Sequence, residues 1–190
     1  WRSNDISRGR GEVEDLWNII NAVRRSHRID ADRIHVTGLS SGAGMTIAMA
    51  VVHGGKIASC ATVAGVAYGE SIWALGKYPR VKQTSATVAE MRQAMGKNRS
   101  LTPLFIAHSA DDEVVGLRAA NKLRDSWLEC FDLDPGTATV TRGIHARKPW
   151  LLTTYSDQDG AESLNYFVLK GYEHGWYGGA SGPFSVPDAP

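Results

Sequence analysis

Apolar residues recur at three- and four-residue steps over two long stretches of the chain. From Glu12, the positions Val13, Leu16, Ile19, Ile20 and Val23 form one stripe, which predicts an amphipathic helix laid on a sheet. Leu117, Ala120, Leu123 and Trp127 repeat the spacing within Val114 to Cys130 and predict another. A helix is also expected from Ser85 to Met95, ending near Gly96. Between these lie short, continuously apolar or β-favouring runs: Arg33 to Thr37, Ile57 to Val66, Leu101 to His108 and Leu164 to Leu169. Runs of that length without alternation read as buried strands. Thr137 to Thr141 and Trp150 to Tyr155 are also β-rich, and Asp157 to Gly160 reads as a turn. Ala43 to Val52 is apolar, free of proline and stopped by His53-Gly54-Gly55, so it reads as a helix between the first two strands. A strand, a helix and a strand in that order form a crossover unit, whose strands are parallel. The pattern therefore predicts an α/β chain with a mostly parallel sheet. Residues 1 to 10, the stretch from Glu70 to Arg80 and everything from Gly178 read as loop, the second as a pocket rim.

The junction of the first strand and its helix carries a chemical pattern. Gly38-Leu39-Ser40-Ser41-Gly42 fits G-x-S-x-G, the turn that lifts a nucleophilic serine off a strand and onto a helix N-terminus. Five residues of glycine and serine would also suit a plain loop. The β-favouring run before them and the apolar run after them give the strand, turn, helix order that the elbow requires. Gly38 and Gly42 are expected to leave room where the two backbones crowd, with Ser40 held in a strained conformation between them.

A serine hydroxyl needs a base to take its proton, and an imidazole base needs a carboxylate to hold its tautomer. Asp111, Asp112 and Glu113 follow the third strand, and His174 follows the last one. Of the six histidines, His174 alone lies both after these acids and just past a strand. Trp176 and Tyr177 beside it could form an apolar wall for an acyl or aryl group. The backbone N–H of Ser41, next after the nucleophile, is the expected oxyanion donor.

Composition narrows the partners. The 190 residues are 43% hydrophobic, and 21 basic against 20 acidic side chains leave a formal charge of +1. That length gives one domain over residues 1–190 as the expectation. Without a basic block, no nucleic-acid partner is expected; the Arg24, Arg25, His27 and Arg28 cluster reads as a solvated helix face. The longest apolar stretch, around Met45 to Val52, is far short of the ~20 residues of a membrane helix, so no membrane partner is expected. Cys60 and Cys130 have no metal-ligand spacing, and Cys60 falls in a buried strand where a thiol packs as a small hydrophobe. Neither the pairing of these two cysteines nor an oligomeric state can be read from the chain.

The segment Ile29-Asp30-Ala31-Asp32-Arg33-Ile34-His35-Val36-Thr37-Gly38-Leu39-Ser40-Ser41-Gly42 resembles the elbow of the polyhydroxybutyrate depolymerase-like esterases, a branch of the α/β-hydrolases that includes feruloyl and acetylxylan esterases. Arg8 to Val13 resembles the lead into the preceding helix, Val63 to Gly69 the strand-to-pocket segment, and Gly171 to Gly179 the histidine loop. Residues 70 to 100 and 131 to 160 match poorly. The resemblance implies a partial α/β-hydrolase fold with helices on both faces of the sheet. It also implies a serine esterase triad of Ser40, Asp112 and His174 acting without metal or organic cofactor. Asp112 is preferred over Asp111 by the pattern His-Gly-x-x-Asp-x-x-Val, in which Ser109 here replaces the glycine. Tyr68, Trp73 and Trp176 are the pocket candidates, for a small or polymeric ester. The family implies a secreted or periplasmic protein. A chain that opens on Trp1 rather than methionine is expected to be a piece of a longer protein, with the earlier strands and the second oxyanion donor upstream and the helix after the histidine loop missing. Two other readings stay open: a non-catalytic binding domain on the same fold, and a peptidase or acyltransferase using the same triad.

Overall fold

The computed structural model describes residues 5–97 and 99–190; residues 1–4, within the stretch expected to be loop, lie outside them. In chain order the helices are α1 (Glu12–Ser26), α2 (Ser41–His53), α3 (Thr84–Met95) and α4 (Leu117–Phe131). The main strands are β1 (His35–Leu39), β2 (Ser59–Val63), β3 (Leu104–Ser109), β4 (Thr139–His145), β5 (Lys148–Ser156) and β6 (Glu162–Leu169). They form one sheet in the order β1-β2-β3-β6-β5-β4. The first four in that order are parallel, and β5 and β4 are added antiparallel. This is the mostly parallel sheet that the sequence predicts.

Of the helices expected on both faces, the described residues supply those on one. Val36, Cys60, Leu104, Ile106, Leu164 and Tyr166 point into a single core with Val13 and Trp17 of α1, Met49 of α2, Met91 of α3 and Trp127 of α4. Their opposite neighbours Thr37 and Phe105 are exposed, and Ala61, Asn165 and Phe167 half-buried. Right-handed crossovers that all step the same way across a sheet place their helices on the same side, and the order β1-β2-β3-β6 steps one way throughout.

Two local expectations change. The apolar stripe of α1 does not lie on the sheet: Leu16, Ile19 and Val23 are 39%, 60% and 43% exposed. The helix leans on α2 instead, through Val13 and through Trp17, whose ring stacks on His53 at 4.6 Å. Beyond Gly178, where a loop or frayed end is expected, β8 (Ser185–Val186) pairs with β7 (Trp176–Tyr177) and Ala189 is buried. Cys60 and Cys130 are both buried free thiols, and burial pushes the Cys60 thiol up to about 12. No helix among the described residues is long and apolar enough to cross a membrane.

Candidate active site

Parallel strands send their carboxyl ends to the same edge of a sheet, and the loops there carry the chemistry of open α/β folds. Ser40 follows β1, Asp112 lies three residues past β3 and His174 five past β6, so all three emerge on that edge.

Ser40 sits at φ 57°, ψ −118°, at the N-cap of α2. A positive φ costs a non-glycine residue about 1–3 kcal/mol and persists only where its surroundings enforce it. The enforcement is visible. The Ser40 N–H donates to the Val63 carbonyl at 2.9 Å, which fixes the turn to β2. A Cβ on Gly38 would come within 2.3 Å of the Gly42 carbonyl, so strand and helix approach closer than any side chain permits. Gly42 does not share that role, since a Cβ there would meet nothing within 4 Å. A second close approach holds α2 from the other side: a Cβ on Gly65 would stand 2.6 Å from that of Ala43. Ser41 is the first residue of α2, and the first N–H groups of a helix have no partner within it. Its backbone donor is thus free of the helix ladder.

The acid and the imidazole are brought together. His174 Nδ1 lies 2.7 Å from Asp112 Oδ2, and Asp112 is 2% exposed. The other carboxylate oxygen accepts from the backbone N–H groups of Val114 and Val115 at 2.9 and 2.8 Å, which aims Oδ2 at the ring. Asp111 turns elsewhere: it is exposed, and its Oδ2 accepts from the Gly171 N–H at 2.5 Å. Glu113 is exposed and pairs with Lys77. Among the described residues no hydrogen bond joins the Ser40 hydroxyl to His174. In the absence of substrate such contacts are commonly longer than in the reacting complex.

Behind the acid lies His108, fully buried. Its Nε2 is 2.6 Å from the Val115 carbonyl, so Nε2 carries a proton and donates. Nδ1 has no partner among the described residues, and burial holds the ring below the ordinary histidine range, hence neutral. In the sequence His108 is a strand-end histidine before the acid and the first residue of the resembled pattern that ends at Val115. Its tie to the turn that holds Asp112 is a tertiary feature.

The pocket candidates separate. Tyr68 is largely buried, its hydroxyl donates to the Ile6 carbonyl at 2.8 Å, and with Ile6, Arg8, Lys82 and Glu90 it lines a cavity of about 620 Å³ that includes neither Ser40 nor His174. Trp73 is 70% exposed on the loop after β2, and Trp176 is 39% exposed two residues past His174. A cleft of about 430 Å³ that the motif did not reveal runs between α1 and the elbow, bordered by Leu16, Ile19, Ser41, Gly42 and Met45. Glu12 and Asp15 border it as well. No cluster of three His, Cys, Asp or Glu side chains among the described residues could hold a metal ion.

The chain is similar to known proteins in sequence and in fold. The family model described as Esterase PHB depolymerase matches residues 1–145. Poly(3-hydroxyalkanoate) depolymerase C of Paucimonas lemoignei is 25% identical over 179 residues, which are 90% of this chain and 42% of that protein. Among solved structures, an acetyl xylan esterase from Aspergillus awamori superposes with a TM-score of 0.75 at 19% identity, over 91% of this chain and 66% of that one. A PHB depolymerase from Penicillium funiculosum gives 0.58 at 15%, over 84% of this chain and 48% of that one. At these identities the structural likeness is one of fold. The chain spans less than half the length of the depolymerase relative and about two thirds of the xylan esterase.

Proposed function

We propose that this chain, which belongs to the esterase PHB depolymerase family, is the part of a serine carboxylic-ester hydrolase that carries Ser40, Asp112 and His174 as its catalytic residues. The observation that carries the reading is the hydrogen bond of 2.7 Å between the buried Asp112 and the half-buried His174, standing on the same sheet edge as a serine strained to φ 57°. In this reading His174 Nε2 takes the Ser40 hydroxyl proton as Oγ attacks the ester carbonyl, and Nδ1–H stays on Asp112 to stabilise the cation. The Ser41 N–H faces the developing oxyanion. Collapse expels the alcohol, which takes the proton from His174. Water then attacks the acyl-serine by the same proton path and releases the acid. In this reading an acyl chain lies in the cleft bordered by Ser41, against Leu16, Ile19 and Met45, and the exposed Trp73 and Trp176 contact a larger or polymeric ester. Export from the cell accompanies this reading through the family resemblance alone.

A fluorophosphonate probe tests it on the full-length protein. Covalent labelling should map to Ser40 and vanish in Ser40→Ala, with turnover of a p-nitrophenyl ester lost in parallel and the circular dichroism spectrum retained. Labelling at Ser41, or none at all, would sink the proposal. An ester panel spanning acetyl, feruloyl and 3-hydroxybutyrate polymer substrates then fixes the substrate class.

A further inference from the structure

Ser109 stands where the resembled pattern has glycine. It is fully buried, and each of its polar atoms has a partner in one of the two loops that meet at the acid and the imidazole. Its Oγ is 2.6 Å from the Tyr172 carbonyl and donates to it. The same Oγ accepts from the Asp111 N–H at 3.2 Å. Its backbone N–H donates to the Tyr177 hydroxyl at 3.0 Å, and its carbonyl accepts from the Asp112 N–H at 3.4 Å. Two of these bonds hold the acid turn. The other two grip the histidine loop at Tyr172 and Tyr177, on either side of His174.

We infer that Ser109 is a positioning residue for the proposed esterase chemistry: its hydroxyl and N–H clamp the histidine loop onto the end of β3 and so hold the His174 ring on Asp112. The inference rests on the reading of Ser40, Asp112 and His174 given above. The chain from Lys170 to Gly175 has no helix or strand of its own, so its shape depends on such attachments. A glycine at 109 would keep the backbone bond to Tyr177 and lose the side-chain bond to Tyr172, leaving a buried carbonyl unpaired. Burial raises the Tyr177 pKa and keeps the phenol neutral, and its oxygen accepts from the Ser109 N–H.

The clamp is separable from folding and from the triad. Ser109→Ala in the full-length protein should lower kcat for a p-nitrophenyl ester about tenfold, since a buried hydrogen bond of this kind is worth roughly one decade. KM should stay within about twofold, because no substrate contact is removed. Tyr177→Phe keeps the ring and removes only the acceptor for the Ser109 N–H; it should lower kcat in the same direction with KM equally unmoved, and it serves if the first variant fails to fold. Fluorophosphonate labelling of Ser40 in wild type reports on the triad reading by itself. If wild type labels at Ser40 while both variants label at the wild-type rate with kcat unchanged, the clamp is refuted and the triad reading stands. If wild type does not label, the triad reading falls and the clamp with it.

Discussion

Replacing Asp112 by asparagine turns one atom of the site around, and the hydrogen bonds decide the outcome. One carboxylate oxygen accepts from the Val114 and Val115 N–H groups at 2.9 and 2.8 Å, and the other meets His174 Nδ1 at 2.7 Å. An asparagine has one acceptor oxygen and one donor nitrogen. If the oxygen stays on the two backbone donors, the NH₂ faces Nδ1, and the ring must put its proton on Nε2. That tautomer cannot take a proton from Ser40. If the amide flips, two buried N–H groups lose their acceptor at about 1–3 kcal/mol each, which exceeds the roughly 1 kcal/mol of one restored neutral bond. The first arrangement wins. The expected loss is about 10⁴ in kcat, the usual result of the wrong tautomer, equivalent to roughly 5 kcal/mol of transition-state stabilisation. The assay is kcat and KM of the full-length variant on a p-nitrophenyl ester, with the melting temperature as a control for folding. Asp111→Asn is the paired control. Its carboxylate accepts a single bond, from the Gly171 N–H, which an amide oxygen can replace, so its kcat should stay within about fivefold of wild type by the same bond count. Asp112→Asn retaining more than a tenth of the activity, or Asp111→Asn losing as much, would refute the assignment of the acid.

The two glycines of the elbow should respond in opposite ways to alanine. Gly38→Ala drives a Cβ to within 2.3 Å of the Gly42 carbonyl and should destabilise by at least about 1–3 kcal/mol in urea titration, whereas Gly42→Ala, which meets nothing within 4 Å, should be neutral or slightly stabilising. Acid should weaken the fold through two buried histidines: burial lowers the pKa of His53 and of His108 below 6.5. The unfolded chain then binds more protons than the folded one just below that value, so stability is complete above it and falls as pH drops toward the folded values. Urea midpoints measured across this window should flatten in part for His53→Gln, and an unchanged slope would show that His53 does not contribute. Trp73→Ala, at a side chain 70% exposed, should leave a soluble acetyl ester within about twofold and reduce turnover of an insoluble polyester by at least about threefold, as expected for an aromatic contact to substrate alone. Equal effects on both substrates would remove Trp73 from the substrate surface.

The elements that the sequence displays clearly are those whose pattern is local. The run of helix formers after Ser40, the acids after the third strand and His174 after the last strand are legible because strand, turn and helix signals are adjacent in the chain. What is not legible is decided by contacts distant in sequence. The α1 stripe of Leu16, Ile19 and Val23 suggests a sheet beneath it, yet Trp17 on His53 sets which side is buried. The β4–β5 hairpin turns at Ala146 and Arg147, both with positive φ, where the glycine or asparagine that usually marks such a turn is absent. Tyr68 is a pocket candidate through the resemblance of Val63 to Gly69, and the reach of its hydroxyl to the Ile6 carbonyl, 62 residues back, is not visible in the sequence. The polar atoms of Ser109 are likewise invisible in sequence, since their partners in the histidine loop lie 63 and 68 residues away.

The geometry also divides the site into a part held from many sides and a part held from few. Asp112 and the loop of His174 are attached to β3 and β6, neighbours within the sheet whose register runs without a break from Leu104↔Leu164 to Ser109↔Leu169. Ser40 instead ends β1, the edge strand of the described sheet, which pairs only with β2. Two strand spacings, or roughly 10 Å at 4.8 Å each, separate the strand before Ser40 from the strand before Asp112. The distance from Ser40 to the imidazole therefore depends on the β1–β2 register, Leu39↔Val63, on the Ser40 N–H bond to Val63 and on the close packing at Gly38 and Gly65. Errors in these attachments displace Ser40 relative to His174, which is attached elsewhere. A shift of about 1 Å in a reacting group costs on the order of 10² in rate, far more than the same shift costs in stability. Conservative substitutions along β1 outside Gly38 should accordingly lower kcat before they lower the melting temperature, whereas substitutions that break the β3–β6 pairing should lower both together.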